Sequence, residues 1–396
     1  MPLKPYPWLI AAVAALAVAP VAAGQAVSST VIAASAPVRP VAMVADGDGN
    51  AIAVGSISAT REGWASKVQS DGRVVWSYIR VLAPAEQAAI GRRTSHPVFY
   101  GAVAMRDGST FLCGSLPRAF APGAPAGALL AHLDQGGKST GETFVDFGSD
   151  PAGRTLPYTF VGCLQQDQGV FAAAYEEHLE RATASGDTRM KASYGIAKLH
   201  PDGTLAWRRT IAGGLGEGHG IDPEGFGFDS LGYGYVFLVT TNIDTELILL
   251  NADGTVRAKK VLPGRFSLVK RTAPGPLTLI GGSARAATSI VTFDGKLNET
   301  GRRNSAVPLN FVAIRAFLAE RGDFALFGTP VSGSGLSTHV MLVDAGVAVR
   351  DGGGREGAGE TIRAAVALDG DHFMFATPSA GAATKGARIG RITLGR

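Results

Sequence analysis

Short apolar runs, each closed by a polar turn containing Gly, recur along the chain from Val41 onward. Their period is two residues, and the alternation in Gly195-Ile196-Ala197-Lys198-Leu199 is that of a half-buried strand. No 3.6-residue apolar stripe is sustained, and the frequent Gly would break helices. One motif is an apolar strand, a Gly turn and a second strand ending on another Gly. It reads Val41–Val44, Asp48-Gly49, Ala51–Gly55, and again Ala102–Met105, Asp107-Gly108, Thr110–Gly114. Gly275 with Gly281 and Gly322 with Gly328 keep the same six-residue spacing. Looser copies run from Val161 through Gly169, Phe226 through Gly234 and Ala364 through Gly370.

A second motif is a strand, an Asp/Gly turn and a further strand, as in Ala65–Val68, Asp71-Gly72, Val74–Trp76. Equivalent turns stand at Gln135-Gly136-Gly137, Asp202-Gly203, Asp253-Gly254, Asp294-Gly295 and Asp344-Ala345-Gly346. Gly supplies the positive φ of a tight hairpin and Asp caps it. Two hairpins make four antiparallel strands, and first turns near Gly49, Gly108, Gly169, Gly232, Gly275, Gly322 and Gly370 mark seven units. Repeats of about 40 to 60 residues with four strands each predict an all-β fold, a seven-bladed β-propeller of four-stranded antiparallel blades. The last unit has strands near Thr361–Leu368, His372–Ala376 and Lys385–Leu394 but no fourth. The β-branched segment Val27–Ala33 supplies it, so that an N-terminal strand closes the ring and removes an open edge.

Gly72-Arg73-Val74-Val75-Trp76 and Gly203-Thr204-Leu205-Ala206-Trp207 resemble the end of the tryptophan-docking motif of quinoprotein alcohol dehydrogenases. With the repeat, they make the mature chain similar to exported bacterial β-propellers of the broad WD-repeat-like and quinoprotein-like group. That resemblance implies architecture only. Two units alone carry the Trp and no adjacent Cys pair exists, so neither pyrroloquinoline quinone nor another cofactor is expected. The Trp side chains are expected to pack between blades.

Composition narrows the picture further. Of 396 residues 53 are Gly, about twice the usual share, while 46% are hydrophobic and 18% charged. These values exclude a disordered, collagen-like or coiled-coil chain. The net charge of +4, without a Lys/Arg run, does not point to nucleic acid. Residues 1–23 read as a signal peptide, with Lys4, the apolar stretch Leu9–Ala19 and small residues at Val21-Ala22-Ala23; the cut falls after Ala23 or Ala26. Residues 24–396 then form a single domain, expected to be a periplasmic or secreted monomer without a transmembrane segment. Cys113 and Cys163 fall on the second strand of unit two and the first of unit three. Export permits a disulfide between them, and two buried thiols suit the positions equally.

Candidate chemistry is sparse. Asp46-Gly47-Asp48-Gly49-Asn50 begins like a calcium loop, but Ala51 and Ile57 stand where Gly and Glu are needed, so a hairpin turn is expected. The seven histidines are too scattered for a metal site. Glu217-Gly218-His219-Gly220-Ile221-Asp222, with Glu224, offers a His flanked by carboxylates, as a general base requires. Arg39, Arg92, Arg93, Arg154, Arg265, Arg302, Arg303 and Arg355 fall in corresponding connections between units, with His219 in the remaining one. Arg39, Arg93, Arg154, His219, Arg265, Arg303 and Arg355 are therefore the candidate ligand-binding set, since guanidinium forks onto carboxylate or phosphate. The excursion Tyr175–Tyr194 has helix formers at Glu176–Arg181 and a tip at Ser185-Gly186-Asp187; a long insertion on a rigid scaffold serves as a contact site or is tolerated as a surface flap, and the sequence suits both. The leading expectation is a binding scaffold that recognises a protein or anionic polymer through its loop face. Alternatives are a carbohydrate-active hydrolase or lyase at the central channel and an inhibitor or immunity-type protein.

Overall fold

The computed structural model describes residues 26–393 except 35, 59, 61, 82, 85–98, 117–126, 146–158, 167–168, 182–187, 213–226, 232–233, 241–243, 271–274, 283–286, 306–310, 320–321, 331–339, 348, 352–361 and 379–384. Strand β1 (Ala26–Ala33) precedes unit one, which comprises β2 (Val38–Ala45), β3 (Ala51–Ile57), β4 (Gly63–Val68) and β5 (Val74–Arg80). Unit two holds β6 (Phe99–Ala104), β7 (Thr110–Leu116), β8 (Gly127–Leu133) and β9 (Ser139–Val145). Unit three holds β10 (Thr159–Gln166), β11 (Gly169–Arg181), β12 (Thr188–Leu199) and β13 (Leu205–Ala212). Unit four holds β14 (Gly227–Ser230), β15 (Tyr235–Thr240), β16 (Asp244–Leu250) and β17 (Val256–Pro263). Unit five holds β18 (Arg265–Lys270), β19 (Leu277–Gly282), β20 (Ser289–Phe293) and β21 (Glu299–Asn304). Unit six holds β22 (Phe311–Leu318), β23 (Phe324–Pro330), β24 (Val340–Val343) and β25 (Val349–Asp351), and unit seven β26 (Ala364–Ala367), β27 (His372–Pro378) and β28 (Gly386–Thr393).

The fold is all-β and built from antiparallel four-stranded sheets in chain order. Units five and six join into one larger sheet through a short parallel pairing, Val269 beside Ala316 and Lys270 beside Phe317. Strand β1 completes unit seven, pairing with β28 from Ala26 opposite Thr393 to Ala33 opposite Gly386. The first strands touch in the order β2, β6, β10, β14, β18, β22, β26 and β2 again.

Hydrophobic cores lie between units. Ile52, Val54, Phe99 and Leu112 join units one and two, and Val103, Phe111, Val170 and Leu199 join two and three. The series continues through Ile196 with Phe237, Leu247 with Phe266, Ile280 with Leu326, Phe327 with Phe373, and Met374 with Met43. Successive residues of β15 serve opposite neighbours: Tyr235, Phe237 and Val239 face unit three, Val236 and Leu238 unit five. Inner strands such as β3, β4 and β15 are consequently buried at every position, which departs from the half-buried alternation read from sequence. Outer strands β5 and β17 and the first strand β18 keep more exposed positions between buried ones.

The hairpin between third and fourth strands closes in one manner throughout units one to six. In Gln69–Arg73, the Gln69 N–H donates to Arg73 O and the Gly72 N–H to Gln69 O. A bulge in the outer strand follows, as where Lys67 faces Trp76 but Val68 faces Val74. Each such turn docks on the outer strand of the preceding unit. Trp76 lies against Gly137 and Trp207 against Gly254, where a Cβ would fall 2.6 Å and 2.2 Å from the indoles. Thr143 Oγ1 donates to Gly203 O at 2.9 Å, Lys260 Nζ to Leu297 O at 3.1 Å and Arg303 Nη1 to Ala345 O at 2.9 Å. Between units seven and one, Gly72 abuts Thr30 and Arg391 reaches Ser70 O. The expected packing of both Trp residues between units is thus observed.

Asp46 is the acceptor of a hairpin turn, taking the N–H groups of Asp48 and Asn50 at 2.9 and 2.8 Å. Cys113 and Cys163 form a disulfide that ties β7 of unit two to β10 of unit three. The helix-forming run Glu176–Arg181 is instead β-strand: β11 and β12 pair on from Tyr175–Tyr194 to Arg181–Thr188 as a ribbon beyond their own sheet. Continuation of an established ladder outweighs intrinsic helix propensity there.

Candidate anion-binding site

Among the described residues, the first strands of units five, six, seven and one each carry or directly follow an arginine. Arg39 lies on β2, Arg265 opens β18, Arg315 lies on β22 and Arg363 immediately precedes β26. Arg39 is exposed, and the other three are half-buried. These strands hold no Asp or Glu, and β6, β10 and β14 hold no Arg or Lys. Within the first strands themselves, positive charge lies on β2, β18 and β22, with Arg363 directly before β26.

Backbone geometry fixes these positions. Pro40 follows Arg39 and pairs with Gly55, whose Cβ would lie 2.1 Å from Arg39 O. Phe266 follows Arg265 and pairs with Gly281, whose Cβ would lie 2.0 Å from Arg265 O. Arg39 and Arg265 thus occupy equivalent places. The second Gly of the six-residue motif exists because the first strand crosses it at backbone contact.

Buried hydroxyls lock Arg265 further. Thr245 Oγ1 donates to Gly264 O at 2.8 Å and accepts the Phe266 N–H at 2.9 Å, bracketing the arginine. Thr240 Oγ1 donates to Phe266 O at 3.1 Å. Ser267 Oγ, two residues along the same strand, donates to Ala313 O at 2.6 Å and ties β18 to β22. Arg315 comes directly after a bulge at Ile314, where Ala313 faces Gly328 and Arg315 faces Phe327. Arg363 N–H donates to Ala376 O at 3.0 Å, although Ala376 already faces Ala364. Bulges of this kind re-aim side chains.

The sequence-derived set maps unevenly onto this geometry. Arg39 and Arg265 sit on first strands rather than in the connections. Arg302 and Arg303 sit on β21, the outer strand of unit five, where Arg302 forks onto Glu299 at 2.8 Å and Arg303 clasps unit six. Their placement in the connecting loops is corrected accordingly. Arg92, Arg93, Arg154, His219 and Arg355 lie outside the described residues, as do Glu217, Asp222 and Glu224. Arg315 and Arg363 were missed because each adjoins an apolar strand that reads as core.

Among the described residues no three of His, Cys, Asp and Glu gather as metal ligands. No helix among them is long and apolar enough to cross a membrane. Four guanidinium groups on a rigid frame can fork onto carboxylate, sulfate or phosphate.

No protein-family model matches the chain, and no curated protein matches it. Solved structures with a similar outline include a Dyadobacter fermentans protein of unknown function, at 10% identity and TM-score 0.47, covering 93% of this chain and 99% of that one. A puromycin hydrolase matches at 16% identity and TM-score 0.48, covering 86% of this chain and 50% of that one. A dihydro-heme d1 dehydrogenase matches at 13% identity and TM-score 0.44, covering 86% and 61%. Likenesses this distant carry no argument about function.

Proposed function

We propose that the protein is a seven-bladed β-propeller, exported from the cell, that binds an anionic group of a polymer or protein partner at its inner strands. The cyclic order of first-strand contacts and the pairing of β1 with β28 support the closed ring. The observation that carries the binding reading is the set of Arg39, Arg265 and Arg315 on β2, β18 and β22 with Arg363 directly before β26, four strands that hold no carboxylate. Fixed guanidinium groups recognise planar anions by paired hydrogen bonds, and positive charge accelerates encounter with an anion.

The test is titration calorimetry with a short oligouronate and, separately, inorganic phosphate. Replacing Arg39, Arg265 and Arg315 by Ala together lowers affinity at least about tenfold, since charged hydrogen bonds contribute roughly 1.5–3 kcal/mol each. Replacement by Lys keeps attraction at a distance but loses the forked contact. Equal affinity of native and Ala proteins for both probes would place recognition elsewhere.

A further inference from the structure

The outer strands are as unevenly charged as the inner ones, and on a different set of units. Strand β1 carries no charged residue; β5 and β9 carry one each, Arg80 and Glu142, which pair with each other at 2.7 Å. Strands β13, β17 and β21 carry Arg208, Arg209, Arg257, Lys259, Lys260, Arg302 and Arg303 against the single carboxylate Glu299. All of these cations are exposed except Lys260, which is half-buried. The neighbouring Asp202, Asp253 and Asp294 are bound into their own turns, each accepting N–H groups from residues two to four positions on.

Contacts show which way several cations face. Arg209 Nε donates to Asp253 O of unit four at 3.0 Å. Lys260 reaches the turn of unit five, and Ala258 packs into the core shared by units four and five. Lys259, out of phase with both, faces unit three. Arg303 reaches unit six, so Arg302 faces unit four. The groove between units three and four is therefore lined by Arg209 and Lys259, and that between four and five by Lys260 and Arg302.

We propose that this rim, spanning units three to five, is a second binding surface for a flexible linear polyanion of the sulfated or carboxylated polysaccharide class. The proposal rests on the ring reading above, in which each unit turns the rim by about a seventh of a circle. A flat bilayer meets such a convex surface at about one unit, whereas a flexible chain follows all three and neutralises the cations in series. Cations spread over three units also exceed the reach of a small ligand.

The experiment measures binding of labelled dextran sulfate over a range of salt concentrations. The variants are Arg208→Gln, Arg257→Gln and Lys259→Gln combined; Arg209, Lys260 and Arg303 are left intact because they clasp the next unit. The triple variant should lose at least about tenfold in affinity, and its salt slope should fall by about two to three, roughly 0.7–0.9 for each of the three cations removed. A second triple, Arg208→Lys, Arg257→Lys and Lys259→Arg, should bind like the native protein, which separates lost charge from lost folding. Unchanged affinity and slope in the Gln variant overturn the proposal. Equal or tighter binding to phosphatidylglycerol vesicles, lost in the same variant, overturns it in favour of a membrane surface. Loss of oligouronate binding by the folded Gln variant means one shared site and also overturns it. Failure of the Arg39/Arg265/Arg315 variant to affect oligouronate, with dextran sulfate binding still rim-dependent, removes the inner-strand site and leaves this one standing.

Discussion

At the scale of single residues, Trp76 and Trp207 meet Gly137 and Gly254 of the next turns, while the turns of units five and six carry a larger residue at the glycine position. Leu297 and Val347 fill the glycine position with φ of 61° and 64°, and both are buried. A non-glycine residue in this region costs about 1–3 kcal/mol, and burying Leu or Val returns about as much. In sequence, Asp294-Gly295 and Asp344-Ala345-Gly346 read as ordinary Asp/Gly turns, yet Gly295 and Gly346 fall before the left-handed position. Glycine content alone does not show which residue takes it. Gly137→Ala should destabilise by at least about 1 kcal/mol, because φ is 81° and the new methyl meets Trp76. Combined with Trp76→Ala, its cost should shrink by 0.5 kcal/mol or more, roughly the coupling of touching residues, in a denaturant double-mutant cycle.

Asp46 supports a prediction on acid stability. Burial raises its pKa, but the hydrogen bond with Lys67, 2.7 Å away, and those with Asn50 and Asp48 hold it below the ordinary value. A depressed carboxyl stabilises the fold above its unfolded pKa of about 3.9, and that contribution vanishes as pH falls through the folded value. Asp46→Asn should therefore lower Tm at pH 7, with the gap to native protein narrowing below pH of about 4. A constant gap across a pH series of melts would detach Lys67–Asp46 from acid sensitivity.

At the scale of elements, the strands were legible because Gly turns punctuate them, and the terminal strands because one unit lacked a partner. Removing Ala26–Ala33 leaves β28 with an open edge and takes Ile32 from the core between units seven and one. The shortened protein should melt lower and be cut faster by protease; unchanged values in both assays would make β1 dispensable. The ribbon of β11 and β12 was illegible because Glu176–Arg181 favours helix locally and only pairing with Thr188–Ser193 selects strand. The cysteine pair was undecided in sequence because distance is a tertiary property. Its Cα atoms lie 6.3 Å apart, and the bond closes a separation of 50 residues. Replacing both by Ala should cost ~2–4 kcal/mol in denaturant unfolding, and identical reduced and non-reduced peptide maps of the native protein would remove the bridge.

For the whole molecule, the positions of the arginines were legible in the sequence only in part. Arg39 and Arg265 sit one residue before the Gly-paired crossing, so the six-residue motif points to them. Arg315 depends on a bulge, which sequence periodicity does not register, and Arg363 stands just outside its strand. Outer-strand cations such as Arg302 and Arg303 look like loop residues when a unit's last strand is short and polar.

The pairing of Ala26 with Thr393 sets two distant points of the chain side by side, where every other unit has a covalent turn. Because β1 supplies the outer strand of unit seven, the junction between units six and seven is without the docking turn described at the other junctions. Phe317, Phe327 and Phe373, with ring centroids 5.6–5.7 Å apart, fill that junction instead. Bridging Thr393 to Ala26 with a five-residue Asn-Ala-Asp-Gly-Thr turn, and opening new termini at another turn, should give a circular permutant that folds. Its seventh unit would gain a continuous outer hairpin, and amide exchange in β1 should slow relative to the native chain. Faster exchange there would mean that the break relieves strain which a covalent turn restores.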